Sequence, residues 1–178
     1  MKIALLGYGR MGKEIEKIAL ERGHEIVLRK TEENDYSGLE HADVAIDFSI
    51  PTAATENIST CFNQNIPVVS GTTGWLEHYN DMTALCEEKN GAFLYGSNFS
   101  VGVNLFFELN SYLAKLMANI KEYNVSMEEI HHTQKLDAPS GTAISLAQGI
   151  IAETDYKQWT MDNANDDEIY IDAKRIED

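Results

Sequence analysis

The sequence predicts an α/β protein: a parallel sheet with helices on both faces in the amino-terminal part, and a smaller α+β unit behind it. Three observations carry this. Short apolar runs alternate with segments of helical period as far as about Ser100, a glycine-rich turn joins the first run to the first helix, and the pattern changes after Ser100. The 178 residues, 43% hydrophobic and 24% charged, have the balance of a globular chain, long enough for one large domain or one domain and a smaller unit.

Residues 2–6 form a short apolar run ending at Gly7, and residues 10–21 place Met11, Ile15, Ile18 and Ala19 at helical spacing, which gives strand, turn and helix. Residues 25–28 and 43–47 read as the second and third strands, and Pro51 suits the first turn of a helix over residues 52–63. A fourth strand over 66–69, a helix over 76–89 and a fifth strand over 92–95 complete the alternation, which implies parallel pairing. Beyond Ser100 a long helix is expected over 103–118, with Leu105, Phe106, Leu109, Leu113, Leu116 and Met117 as its apolar residues. Residues 123–130 alternate like a strand, 140–151 are helical, 168–173 alternate again, and the acidic stretch 154–167 reads as a solvated loop. Two helices and two strands bury little surface, so this second unit reads as truncated.

Fourteen Lys and Arg against 29 Asp and Glu give a net charge of -15, and with no basic cluster this excludes sequence-independent nucleic-acid binding, because phosphates are repelled. No stretch approaches the roughly 18 apolar residues of a membrane span, and the opening run is cut at Gly7 before it could form a signal-peptide core, so a cytoplasmic location is expected. Cys61 and Cys86 sit in separate apolar-periodic segments without metal-ligand spacing and read as small buried hydrophobes.

Gly7-Tyr8-Gly9-Arg10-Met11-Gly12 is a GxGxxG that follows a strand and opens a helix, the setting in which it binds a dinucleotide pyrophosphate at the helix amino terminus. The plainer reading is a turn kept for packing. At the end of the second strand an acid would hold a ribose hydroxyl and a cation a 2′-phosphate. Arg29 and Lys30 stand there and lean toward NADPH, while Glu32 and Glu33 lie close enough to leave NADH open. Gly71-Thr72-Thr73-Gly74 follows the fourth strand at the carboxyl edge, where it can wrap a nicotinamide ribose or simply start a helix with Thr as its cap. Gly96-Ser97-Asn98-Phe99 follows the fifth strand in the same way, and Asn98 can cap the next helix or touch the cofactor.

The segment from Glu128 to Thr142 holds two imidazoles, an amine and a Pro-Ser-Gly-Thr helix start: His131, His132, Lys135, Pro139, Ser140, Gly141 and Thr142. It joins a proton donor, a cation and an anion-binding helix terminus, and Ser140 as N-cap leaves the N–H groups around Gly141 and Thr142 to receive carboxylate oxygens beside Lys135. Metal binding by His131 and His132 is not expected, since neighbours on a strand point to opposite faces and no supporting carboxylate spacing is present.

In these motifs, together with Asn98-Phe99-Ser100-Val101-Gly102, the sequence closely resembles the dihydrodipicolinate (4-hydroxy-tetrahydrodipicolinate) reductase family of lysine biosynthesis through diaminopimelate. The resemblance covers nearly the whole chain, although family members continue past its last residue. It implies a Rossmann domain over 1–101, and a substrate-binding, catalytic and oligomerising domain with an open mixed sheet over 102–178, through which members form homotetramers. It further implies NADH or NADPH as cofactor and a cyclic dicarboxylate as substrate. His131 matches the proton donor, Lys135 a catalytic and substrate-binding cation, and His132 a substrate-binding residue. Ser140, Gly141 and Thr142 match the carboxylate site. Gly7 to Gly12, Gly71 to Thr73 and Gly96 to Phe99 match the cofactor contacts. Two other readings stay open: another Rossmann amino-acid dehydrogenase, which has no need of the paired histidines, and a fragment that binds cofactor without turnover.

Overall fold

The computed structural model describes residues 1–135 and 137–177. The chain divides into two compact units, Met1–Ser97 and residues 98–178.

In the first unit, strands β1 (Lys2–Leu6), β2 (Glu25–Lys30), β3 (Val44–Asp47), β4 (Val68–Ser70) and β5 (Phe93–Tyr95) form one parallel sheet in the order β2-β1-β3-β4-β5. The alternation of β1 explains the layering. Ala4 and Leu6 pack with Ala54, Ile58, Cys61 and Phe62 of α2 (Pro51–Asn63) and with Met82 and Leu85 of α3 (Tyr79–Glu88). Ile3 and Leu5 point the other way, against Ile15 and Ala19 of α1 (Arg10–Glu21). A strand buried on both sides has no polar face, which is why residues 3–6 are apolar throughout. Three boundaries move by more than one residue. β2 runs two residues further than its apolar stretch, because it is an edge strand on which Arg29 and Lys30 reach solvent while their backbone pairs with β1. The helix expected over 76–89 opens as a 3-10 turn, Leu76–His78, before α3. β4 is shifted toward Ser70. Cys61 and Cys86 are unpaired, and burial together with the nearby Asp47 charge pushes the Cys61 thiol up to about 12, so it packs as an inert hydrophobe.

The second unit holds α4 (Val101–Met117), β6 (Ser126–His132), α5 (Gly141–Glu153), β7 (Gln158–Thr160) and β8 (Glu168–Ile176). Its strands pair β6-β8-β7, all parallel. The antiparallel member of the mixed sheet that the resemblance implies is not among the described residues. One face of this sheet is covered by α5 through Ala143, Ala147, Ile150, Ile169 and Ile171. α4 packs on α5 closely enough that a Cβ on Gly149 would meet the Ser111 hydroxyl at 2.9 Å. β7 corrects the expectation of a plain loop over 154–167: Trp159 turns into the core while its neighbours pair with β8. Among the described residues, no helix is long and apolar enough to cross a membrane.

Candidate functional site

The glycine turn sits between β1 and α1, and its three glycines meet different surroundings. Gly7 has φ 95°, a left-handed conformation, and a side chain there would run into the Phe48 carbonyl. A side chain on Gly12 would run into the Gly7 carbonyl. Gly9 is the N-cap of α1, and a Cβ on it would find no protein atom within 4 Å. The turn is thus closed where it touches the sheet and open where α1 begins. The first N–H groups of α1 have no acceptor within the helix, and no acidic side chain occupies its first turn. This shape fits a dinucleotide pyrophosphate. Arg10 is exposed at the start of α1.

Beside the turn, Met11 of α1 meets Gly71, Thr72 and Thr73 around a cavity of about 260 Å³ that Phe48, Ser49 and Pro51 complete. Beneath it lies Asp47, fully buried at the end of β3. One of its oxygens accepts from Ser49 Oγ at 2.7 Å and Asn57 Nδ2 at 2.9 Å, the other from Ser70 Oγ and Thr72 Oγ1, both at 2.7 Å. Four donors satisfy the carboxylate, and each donor's backbone is thereby fixed. The Thr72 hydroxyl does not cap a helix: it donates to Asp47 and accepts from the Ser49 N–H at 2.8 Å, while Thr72 lines the cavity. Thr73 is exposed. Asp47, Ser49 and Asn57 escape sequence reading because nothing local marks them; the single signal was an acid at the end of an apolar strand.

Arg29 stands at the end of β2, beside the glycine turn, since Leu5 pairs with Arg29 and the Gly7 N–H donates to the Lys30 carbonyl. Its guanidinium is held by Glu16 of α1, with Nε 2.9 Å from Oε1 and Nη2 on the same oxygen, while the Tyr8 hydroxyl binds the other oxygen. Arg29 and Tyr8 hold the Glu16 carboxyl below its ordinary value, and Glu16 in turn raises both partners. Lys30 Nζ donates to the Thr31 carbonyl and lies 5.1 Å from the Tyr36 ring centre.

After β5, Gly96 extends the ladder by donating to the Ser70 carbonyl. Ser100, not Asn98, is the N-cap of α4; Asn98 accepts from the Ser100 N–H at 2.8 Å and so shapes the turn before the cap. Ser97 ends the first unit, and Phe99 is exposed.

In the second unit the carboxyl ends of β6 and β8 meet the start of α5. Glu129 and His131 share the helix-covered face of β6, and register places Arg175 beside His131. Glu129 accepts from the Ser140 N–H at 2.8 Å and lies 3.2 Å from His131 Nε2, with Arg175 Nη1 at 3.9 Å. Burial pushes the Glu129 carboxyl up, but Ser140 and His131 outweigh it and leave it below its ordinary value. Ser140 is buried and caps α5, its hydroxyl accepting from the Ala143 N–H at 3.1 Å. The N–H groups of Gly141 and Thr142 therefore have no acceptor in the helix, and a Cβ on Gly141 would meet open space, as a carboxylate seat requires. Lys135 is ion-paired, its Nζ 2.7 and 2.9 Å from the two Asp137 oxygens, while Arg175 holds the carbonyls of Lys135 and Asp137. His132 faces the opposite side of β6 with Glu128 and Ile130, so the two histidines do not share a face. A larger cavity of about 880 Å³ lies elsewhere in this unit, under α4 and Tyr156, and Glu129, His131, Lys135, Ser140 and Arg175 do not line it. Among the described residues no three His, Cys, Asp or Glu side chains gather as a metal would need. Sequence reading missed Glu129 and Arg175; Glu129 two positions before His131 on an alternating strand was the available signal.

The description "Dihydrodipicolinate reductase, N-terminus" matches residues 1–99 and "Dihydrodipicolinate reductase, C-terminus" matches residues 102–178. The chain belongs to the dihydrodipicolinate reductase family. It is similar to the 4-hydroxy-tetrahydrodipicolinate reductase of Christiangramia forsetii, 55% identical over 99% of this chain and 75% of that protein. It is also similar to the one from Staphylococcus saprophyticus, 36% identical over 82% of this chain and 62% of that protein. A solved structure of dipicolinate-bound dihydrodipicolinate reductase from Paenisporosarcina sp. TG-14 matches with a TM-score of 0.67 at 26% identity, over 99% of this chain and 79% of that one. As a family member the chain is an NAD(P)H-dependent oxidoreductase of the diaminopimelate route to lysine, and its amino-terminal part is the nucleotide-binding one.

Proposed function

We propose that this chain reduces 4-hydroxy-tetrahydrodipicolinate to tetrahydrodipicolinate, with residues 1–101 binding the cofactor and residues 102–178 binding and protonating the substrate. The observation that carries the assignment of roles is the Glu129–His131–Ser140 cluster at the mouth of α5, where a proton donor and two unpartnered helix N–H groups come from one strand and the helix that follows it. Bound NADH or NADPH supplies the hydride.

The open end of α1 at Gly9 holds the pyrophosphate, and the Met11, Gly71 and Thr73 cavity takes the ribose side of the nicotinamide, with Asp47 keeping that wall rigid through Thr72 and Ser49. Gly96, Ser97, Asn98 and Phe99 are carried as cofactor contacts on the resemblance. The Gly141 and Thr142 N–H groups seat one substrate carboxylate at the start of α5. Lys135 binds the other once it exchanges Asp137 for the ligand, and Arg175 keeps the Lys135 and Asp137 carbonyls in place while it does so. His132 contributes from the far face of the strand, on the resemblance alone. Glu129 holds His131 at Nε2, which leaves Nδ1 to deliver a proton to the ring carbon beside the imine, once the 4-hydroxyl has left as water and hydride has arrived at the unsaturated carbon that this loss creates. Glu129 is a positioning residue in this scheme. A homotetrameric assembly and a cytoplasmic location are carried from the family in the same way.

The test is oxidation of NADPH and of NADH, followed by loss of reduced-nicotinamide absorbance with freshly prepared substrate. His131→Ala is expected to lower kcat by about 10²-fold or more, the usual scale for a lost general acid, with KM little changed. An intact kcat with a raised KM would make His131 a binding residue, and cofactor binding without turnover by the unmodified chain would leave only the nucleotide half of the proposal.

A further inference from the structure

The sequence leans toward NADPH because two cations end β2, yet the structure shows the nearer one already engaged. Oε1 of Glu16 receives both Nε and Nη2 of Arg29, the Tyr8 hydroxyl completes the other oxygen, and the Arg29 guanidinium lies 6.0 Å from the Tyr8 ring centre. Glu16 is the more enclosed partner, with 15% of its side chain exposed against 43% for Arg29, so the carboxylate is the fixed element and the guanidinium the movable one. Tyr8 belongs to the glycine turn and Arg29 to the strand end beside it, where the ribose distant from the nicotinamide is expected to lie. A guanidinium whose fork is closed on a carboxylate presents little net charge to a phosphate.

We propose that Glu16 is a specificity-determining residue: by holding Arg29 in an internal ion pair it lowers the advantage of NADPH over NADH, and a 2′-phosphate must displace it to be bound. This rests on the nucleotide-binding reading of the first unit. Lys30 does not substitute for Arg29, because its Nζ is drawn to the Thr31 carbonyl and the Tyr36 ring. Glu16 comes from the helix and not from the strand end, so it lies outside the positions usually read for cofactor choice.

Dissociation constants of NADPH and NADH are measured on the full chain by titration calorimetry or by fluorescence of the reduced nicotinamide. Glu16→Gln is expected to raise the NADPH-to-NADH affinity ratio by about tenfold, intermediate between the effects of an exposed ion pair and of an enclosed charged hydrogen bond. Tyr8→Phe, which removes one support of the carboxylate, should move the ratio in the same direction by less. In an Arg29→Ala background Glu16→Gln should leave the ratio where Arg29→Ala alone puts it. An unchanged or lowered ratio in Glu16→Gln overturns the proposal, the second case meaning that Glu16 pre-orients Arg29 for phosphate. A shift that persists without Arg29 overturns the route through Arg29. If the unmodified chain binds neither cofactor, the nucleotide-binding reading falls and this inference with it.

Discussion

A glycine in a fingerprint can be needed because the fold has no room for a side chain or because a ligand takes that room, and Gly9 and Gly12 separate the two cases. A methyl group on Gly12 meets the Gly7 carbonyl, a backbone atom that cannot yield, so Gly12→Ala is expected to lower stability by about 1–3 kcal/mol, the range for forcing atoms into packed space. A methyl group on Gly9 meets no protein atom. Gly9→Ala should therefore melt within about 1 kcal/mol of the parent, the cost of a poorer N-cap, while affinity for NADH and NADPH falls together by about tenfold or more. Thermal melts and cofactor titrations on both variants check the contrast. Parental cofactor affinity in Gly9→Ala would place the pyrophosphate elsewhere.

At the scale of elements, the start of α5 joins local and long-range structure in one residue. The Ser140 hydroxyl caps the helix through the Ala143 N–H, while its own N–H goes to Glu129 on β6. Ser140→Ala deletes the cap and leaves the second bond, so the expected loss of stability is about 1 kcal/mol. If the Gly141 and Thr142 N–H groups seat a substrate carboxylate, the loosened first turn should raise KM severalfold while kcat changes less; a fall in kcat at constant KM would contradict that. Ser140 also shows what can be read from sequence. Its cap follows from Ser-Gly-Thr before an apolar-periodic run, a local signal like those that marked α1, α2 and the parallel strands of the first unit. The strand neighbour of His131 is not local. Arg175 reaches His131 by β6–β8 register across 44 positions, and Glu16 reaches Arg29 across 13. β7 was illegible for the same reason, since one half-buried tryptophan among acidic neighbours becomes a strand only because β8 lies beside it. The bond from Thr72 to Asp47 is hidden in the same way, because the two lie 25 residues apart.

For the whole molecule the governing quantity is a net charge of -15, from 29 acidic and 14 basic side chains. Self-repulsion of the excess acid works against the folded state near neutrality, whereas the carboxylates that have found partners work for it. Glu16, Glu129, Asp137, Asp155 and Asp167 are all held below their ordinary values by hydrogen bonds and cations that outweigh burial. A depressed carboxyl binds fewer protons folded than unfolded, so its contribution is fully present above the ordinary carboxylate range, near about 4, and is lost as pH falls through the lowered folded value. Glu129 isolates this effect from the global charge, because Glu129→Gln changes the net charge by a single unit while removing one enclosed, hydrogen-bonded carboxylate. The parent is expected to be the more stable of the two at neutral pH, with the gap closing below about pH 4 as its own Glu129 takes up a proton and comes to resemble the amide. Urea midpoints measure this better than melting scans, because near the pI of about 4.6 the protecting charge vanishes and the exposed Leu105, Leu109 and Leu116 of α4 favour association on heating. A gap that stays constant from neutral to acid pH would mean that Glu129 stabilises the second unit by its shape and its neutral hydrogen bonds, and that the charge it shares with His131 does no work for the fold.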